Sequence, residues 1–341
     1  MPDPKPDSNT STPESKGSST ALTFHPGHIT LSTFNHLLAC YPRTVEQVHR
    51  NKLTQKQTSK SKPKPKPNPK RKSADANTTQ TQDQDPDPTS TDKQIQADLE
   101  SFLKLDHWRY DTLPKALAKR QGAEAHLTKD ELIDIMAWKT SHGRARPMLM
   151  GMIKANQQST ITKATSEAFA ALPGLDLIGD GDVERSFPKA SLDALTAPLR
   201  GVGPATASLV LSIATVGGGG GGGGDVCQVP FYSDDVYLWL VFGVYPSGEG
   251  EREGEGEGAR LKGVKANGEL DVKYNLKEYR GLWDEVQGLR ARLGSVSTVE
   301  VEKVAYVLRH FALSGYDFVR DAGGDEAVVV DPMVSGRQSK R

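Results

Sequence analysis

An all-α fold is predicted for this 341-residue chain by three observations. Apolar residues recur at helical spacing across 94–320, strand-like alternation is nearly absent, and two Ser/Thr-x-x-Glu boxes mark helix starts. A span of that length is large enough for a hydrophobic core, so a multi-helix domain over 94–320 is expected.

Taken in order, residues 1–20 are Pro-, Ser- and Thr-rich and are expected to stay unfolded. Within 21–50, "ITLSTFNHLLACY" sets Phe34, Leu37, Leu38 and Tyr41 at helical spacing. That segment is too small to fold alone and should dock on the main domain. Residues 51–93 read as a basic and polar disordered linker. Leu99, Phe102 and Leu103 begin the periodic region. Thr128-x-x-Glu131 is a capping box followed by Leu132, Ile135, Met136 and Trp138, and Trp138 is expected in the core. "RPMLMGMIKAN" and "ITKATSEAFAALP" predict further helices, as do 189–199, 204–216 and 236–244. The last helix opens at Ser297-x-x-Glu300 and should bury Val301, Val304, Leu308 and Phe311. Low-complexity inserts at 217–224, eight consecutive glycines, and at 247–270 interrupt the domain as flexible surface loops. The tail, 321–341, is expected to be flexible.

Lys and Arg number 43 and Asp and Glu 43, so the net charge is zero, yet the charges are unevenly placed. "NKLTQKQTSKSKPKPKPNPKRK" is densely basic, which suits a nuclear address, a DNA-gripping arm or a solvated spacer. Two cysteines, Cys40 and Cys227, make neither a disulfide framework nor a four-cysteine metal site, and no metal is expected. The polar opening "MPDPKPDSNT" gives no secretory signal, and no apolar run approaches the ~20 residues of a membrane span. A soluble, intracellular monomer is expected.

"PLRGVGPATASLVLSIA" carries the functional question. Two glycines flanked by helices present bare backbone to a phosphate, either of a cofactor or of DNA. The polyglycine run satisfies G-x-G-x-x-G only trivially, follows a helix, and in "GGGGDVC" lacks the Lys-Ser/Thr of a P-loop. The alternating strands of a dinucleotide fold are also missing, so no nucleotide cofactor is expected. In the DNA reading, Gly201, Val202 and Gly203 turn the chain and Pro204 opens a new helix. The amides through Ala205 and Thr206 then seat one phosphate, aided by the helix dipole, while Val202 plugs the hairpin into the core. The alternative is an ordinary helical corner with glycines for tight packing.

This stretch resembles the helix-hairpin-helix element of DNA repair glycosylases, whose hairpin is typically L-P-G-V-G. The resemblance spans 132–315 and is specific over 190–241; "NLKEYRGLWDEVQGLRARLG" is similar to the family's closing helices. It implies an essential aspartate at the start of a later helix. "QVPFYSDDVYLWLV" supplies Asp235, with Asp234 as the fallback, and its Val-Pro and Asp-led segment look like the oxoguanine-glycosylase branch. Such a carboxylate stabilises positive charge on deoxyribose as the base leaves, once the nucleotide is flipped out. Plain capping of the following helix is the alternative role for both aspartates. The nucleophilic lysine of bifunctional members falls at Ala205, so lyase chemistry is not expected. The missing cysteine quartet excludes the iron–sulfur branch.

Lys139, Arg144, Arg146, Lys154 and Lys163 occur with no acidic residue among them. "WKTSHGRARP" would place Arg144 and Arg146 in a loop suited to phosphate contacts, to which His142 could add, though it reads rather as a solvated loop histidine; a merely solvated basic face is the alternative. The expected partner is double-stranded DNA. The expected activity is monofunctional base excision with water as the nucleophile, in the nucleus. A non-catalytic DNA- or chromatin-binding module and a helical scaffold are the competing classes.

Overall fold

A computed structural model describes residues 24–60, 88–120, 125–143, 146–174, 186–216, 219–220, 224–225, 227–246, 263–265, 270–294 and 296–317. The fold is all-α. Residues 1–23, 61–87 and 318–341, and most of the two low-complexity inserts, lie outside the described residues, as do the expectations placed on them. Within the polyglycine run, Gly219–Gly220 pair antiparallel with Gly224–Asp225, a two-residue ladder where composition predicts only a loop.

Helix α1 (Leu31–Ala39) starts at Thr30, whose Oγ1 accepts a hydrogen bond from the Thr33 amide at 3.1 Å. It leads into α2 (Tyr41–Lys60), and α3 (Pro88–His107) follows. These bounds shorten the linker read at 51–93 from both sides. Tyr41, Val45 and Val48 bury one stripe of α2, and Ile95, Leu99 and Phe102 one stripe of α3, so the two helices pack and carry their polar ends as helix. The chain before α1 is also tied down. Phe24 and Ile29 are fully buried, Trp239 Nε1 donates to the Phe24 carbonyl at 2.9 Å, and Arg292 donates to the Ile29 carbonyl at 2.7 Å.

After α3 the helix widens to a π-type turn over Trp108–Thr112 before α4 (Leu113–Ala118). Pro114 has no N–H for the usual ladder, and the Leu113 amide reaches back to the Trp108 carbonyl. The widened turn aims Arg109 inward, where its guanidinium donates to Glu302 Oε2 at 2.7 Å with both side chains buried. Tyr110 Oη donates to the other Glu302 oxygen at 2.9 Å.

The capping box at Thr128 and Glu131 opens α5 (Lys129–His142), and Leu132, Ile135, Met136 and Trp138 are fully buried. Next come α6 (Pro147–Lys154), α7 (Gln158–Ala170) and α8 (Lys189–Thr196). Helix α8 stops before the expected 199 because Pro198 has no N–H to continue it. Helix α9 (Pro204–Ala214) is buried on every side from Thr206 onward and forms the axis of the core. Then follow α10 (Asp234–Leu240), α11 (Leu276–Leu293) and α12 (Thr298–Arg309). The second predicted capping box, Ser297 with Glu300, is formed, and Val301, Val304 and Leu308 are buried. Phe311 is not part of that stripe. The helix ends at Arg309, and Phe311 lies half-buried on a short 3-10 turn, 5.2 Å from the Phe24 ring. Among the described residues no helix is long and apolar enough to cross a membrane.

Candidate functional site: a cationic cleft at the start of two helices

The turn between α8 and α9 holds Gly201 at φ 78°, a left-handed conformation that a side chain would strain. A Cβ there would also meet Met152 Cβ at 3.0 Å. Gly203 does not share that left-handed conformation. It is extended, with φ −98° and ψ −177°, and serves as the N-cap of α9. A Cβ on Gly203 would meet nothing within 4 Å, so packing inside the protein does not require this glycine. Val202 is buried, as the plug of the hairpin should be. The Gly203 carbonyl accepts from the amides of Thr206 and Ala207, both at 2.9 Å. Among the described residues the amides of Gly203 and Ala205 have no hydrogen-bond acceptor, leaving donors at the positive end of the helix dipole.

Asn156, to which no motif in the sequence draws attention, holds the turn in place. Its buried side chain donates to the Arg200 carbonyl at 3.0 Å and accepts from the Arg200 amide at 2.9 Å. One amide side chain satisfies both polar groups of one backbone residue, an arrangement that fixes the turn against α6.

The segment 227–233 runs beside α9 and delivers α10 to the same place. Val229 donates to Thr215 Oγ1 at 3.0 Å, Tyr232 to Ser208 Oγ at 2.9 Å, and Tyr279 Oη to the Pro230 carbonyl at 2.8 Å. Ser208 within α9 and Thr215 just past its end thus align the approaching backbone. At its end Ser233, not either aspartate, caps α10, its Oγ accepting from the Val236 amide at 3.1 Å. The capping role weighed for Asp234 and Asp235 is therefore filled by another residue, and both lie in the first helical turn.

Asp234 is exposed and accepts a hydrogen bond from Tyr274 Oη at 2.8 Å. Asp235 is half-buried, and among the described residues no side-chain hydrogen bond engages its carboxylate. Burial, reinforced by the charge of Asp234, pushes the Asp235 carboxyl from its ordinary 3.8 up to about 7, against the pull of Arg309 and Lys52.

Gly201, Gly203, Ala205 and Thr206 line one cleft of about 820 Å³ together with Asp234, Asp235 and Arg146. Five cationic residues edge it: Lys52, Lys139, Arg146, Lys265 and Arg309. Arg146 sits just before α6, its guanidinium carbon 5.4 Å from the Tyr274 ring centre. Arg144 lies outside the described residues. Lys52 belongs to the segment read as linker, and its ammonium donates to the His142 carbonyl at 2.6 Å and to those of Ser141 and Gly143 at 3.2 Å. A cation at the carbonyl end of α5 complements the helix dipole. Lys139 donates to Thr206 Oγ1 at 2.8 Å. Burial lowers its pKa from 10.5 to about 7, with Arg146 adding to the effect and Asp234 opposing it.

His142 is a correction. It is not a solvated loop residue but the buried last residue of α5, its ring 4.5 Å from Trp138 and 4.2 Å from Tyr306. Burial, with the nearby Lys52 and Arg109 charges, holds it well below its usual pKa and hence neutral. The helix simply runs four residues past Trp138, which keeps position 142 on the buried face. Trp138 itself is core, its Nε1 donating to Asp106 Oδ1 at 2.8 Å. Among the described residues no three His, Cys, Asp or Glu side chains converge as a metal ion would need.

The cleft therefore combines uncommitted backbone donors, several cations, and one partly desolvated carboxylate without a fixed partner. Comparison with protein-family models, with curated proteins and with solved structures finds no match to this chain.

Proposed function

We propose that the protein binds double-stranded DNA as a monomer in the nucleus and acts as a monofunctional, water-using DNA N-glycosylase similar to the helix-hairpin-helix family. One observation carries the reading: the hairpin amides of Gly203 and Ala205 and the carboxylate of Asp235 open on one cation-lined cleft. Its volume, about 820 Å³, falls within the ~300–1,000 Å³ of small-ligand clefts and suits a base with its sugar.

In this reading the hairpin, Arg146 and Arg144 grip phosphates without reading sequence, and a modified nucleotide swings out of the stack into the cleft. As the bond between C1′ and the base breaks, its electron pair leaves with the base and positive charge grows on the sugar. The ionised Asp235 faces that charge in a site where water screens it poorly. Water adds at C1′ and gives its proton to the carboxylate. Ala205 offers no amine at the hairpin position, so base removal proceeds by hydrolysis.

Two variants test the reading. Asp235→Asn should abolish base release from a panel of lesion duplexes while leaving duplex affinity within about twofold. Gly203→Val should weaken duplex binding at least about tenfold with the helical circular-dichroism spectrum retained, because its side chain would stand before the free amides. Unchanged binding by Gly203→Val would remove the hairpin from the account. Unchanged turnover by Asp235→Asn would leave a binding module.

A further inference from the structure

The chain along one side of the cleft carries a strained residue. Past the second low-complexity insert, the Asp271 amide donates to the Gly263 carbonyl at 2.8 Å, and Leu270, Val272 and Tyr274, at alternate positions, line the cleft. Tyr274 stands at φ 53°, the only described residue other than glycine at positive φ. A side chain keeps such a conformation only where its surroundings impose it. Here Glu278 does so. Its carboxylate accepts from the Lys273 amide at 3.0 Å and from the Asn275 amide at 3.3 Å, which fixes the backbone on both sides of Tyr274.

Two opposite charges meet on the half-buried ring held there. Its hydroxyl donates to Asp234 Oδ1 at 2.8 Å, and the Arg146 guanidinium carbon lies over it, 5.4 Å from the ring centre and within cation–π reach. Tyr232 packs against the same ring, with centres 5.6 Å apart. Asp234 and Arg146 are both exposed, yet among the described residues no ion pair joins them. Opposite charges nearby do pair: Lys265 and Asp271, on the same stretch of chain as Tyr274, stand 3.5 Å apart.

We propose that Tyr274 is a positioning residue that keeps Arg146 and Asp234 from pairing, so that Arg146 stays free for a phosphate of the bound duplex. The hydroxyl holds the carboxylate and the ring seats the cation, so each charge has a partner that leaves it ionised and unneutralised. Without the ring, the two would attract one another across the cleft mouth, and a phosphate would have to displace Asp234 to reach Arg146. The phosphate half of this inference rests on the proposed function; the separation of the two charges does not. The strain at Tyr274 has a use in this account, since it aims the ring at both charges at once.

Two measurements on the full chain separate the halves. Tyr274→Ala should bind an undamaged duplex about fivefold more weakly than wild type. Its log affinity should also fall less steeply with log salt, by about 0.9, the contribution of one phosphate contact. Asp234→Asn should tighten binding at least about threefold more in the Tyr274→Ala background than in wild type. Equal factors in the two backgrounds would overturn the phosphate half, because the removed charge would then act on DNA alone. Tyr274→Gly, which suits the positive φ, repeats the cycle with the strain relieved and helical content checked. A coupling absent from the glycine series would mean that the backbone and not the ring is responsible, and would overturn the proposal. The second measurement needs no DNA. Phenylglyoxal labelling of Arg146, mapped by mass spectrometry, should be speeded about threefold by Asp234→Asn in the Tyr274→Ala background and hardly at all in wild type. Equal labelling with and without Asp234 in both backgrounds would overturn the separation of charges. Failure of wild type to bind any duplex would overturn the proposed function and the phosphate half, while the labelling still decides whether Tyr274 separates the pair.

Discussion

Replacing Asp235 with Asn keeps the shape of the side chain and removes a group that the fold holds against its ionisation. The carboxyl rises from 3.8 to about 7, a shift of about three pH units. At about 1.4 kcal/mol per unit, ionised Asp235 would destabilise the folded state by roughly 4 kcal/mol. Because the residue is only half-buried, solvent screening reduces this to roughly 2 kcal/mol. The sign follows from the direction of the shift. A raised folded-state pKa contributes stability that is complete below about pH 4, falls away between pH 4 and 7, and is absent above 7. Asn is neutral throughout. Thermal melts of wild type and Asp235→Asn should therefore nearly coincide at pH 4.5. By pH 8 the variant should melt higher by roughly 4–8 °C, at about 2–4 °C per kcal/mol for a protein of this size. A difference independent of pH, or a less stable variant at pH 8, would refute the desolvated carboxylate on which the proposed chemistry depends.

Five further outcomes are expected. Gly201→Ala should lose about 1–2 kcal/mol in urea unfolding, since φ is 78° and Met152 stands 3.0 Å from the new Cβ. Gly203→Ala, in open space, should lose less than about 1 kcal/mol; equal losses would contradict the different roles of the two glycines. Asn156→Ala removes both hydrogen bonds to Arg200 and should lower stability by about 2–3 kcal/mol, with duplex affinity falling alongside as the turn loosens. Glu302→Ala strands the buried Arg109 guanidinium and should lose about 3–5 kcal/mol by denaturant melt; a loss below about 1 kcal/mol would mean water reaches the pair. Single-turnover base release should rise with pH and level off above about 7 as Asp235 ionises, whereas a flat profile from pH 5.5 to 8.5 would separate Asp235 from the chemistry.

Features written into a few adjacent residues are legible in the sequence alone. The capping boxes at Thr128 and Ser297, the buried stripe of α5 and the glycine turn each depend on short-range backbone preferences. Features that depend on distant partners are not. Lys52 reads as linker because its neighbours are polar, yet it reaches carbonyls 89 to 91 residues away. His142 reads as loop because "SHGRARP" is loop-like in composition, while the ring is buried against Trp138 and Tyr306. Asn156 gives no local signal, since its function is a clasp on Arg200, 44 residues on. The aspartate pair stands out in the sequence, but which residue caps α10 depends on the position of Ser233. The spacing of Phe34, Leu37 and Leu38 implies only that the N-terminal piece docks. Fully buried Phe24 and Ile29 make it part of the core, so truncating the protein at residue 94 would expose that core and take Lys52 from the edge of the cleft.

Binding of the full chain to a fluorescent duplex carrying a stable abasic analogue, set beside its undamaged twin over several salt concentrations, tests the central claim most directly. Tighter binding to the abasic duplex, with the preference persisting as salt weakens both, is the result expected of a cleft that holds a flipped-out, base-free sugar beside Asp235. Equal and steeply salt-dependent binding would contradict the cleft reading and leave a non-specific DNA holder. No binding to either duplex would contradict the DNA account altogether.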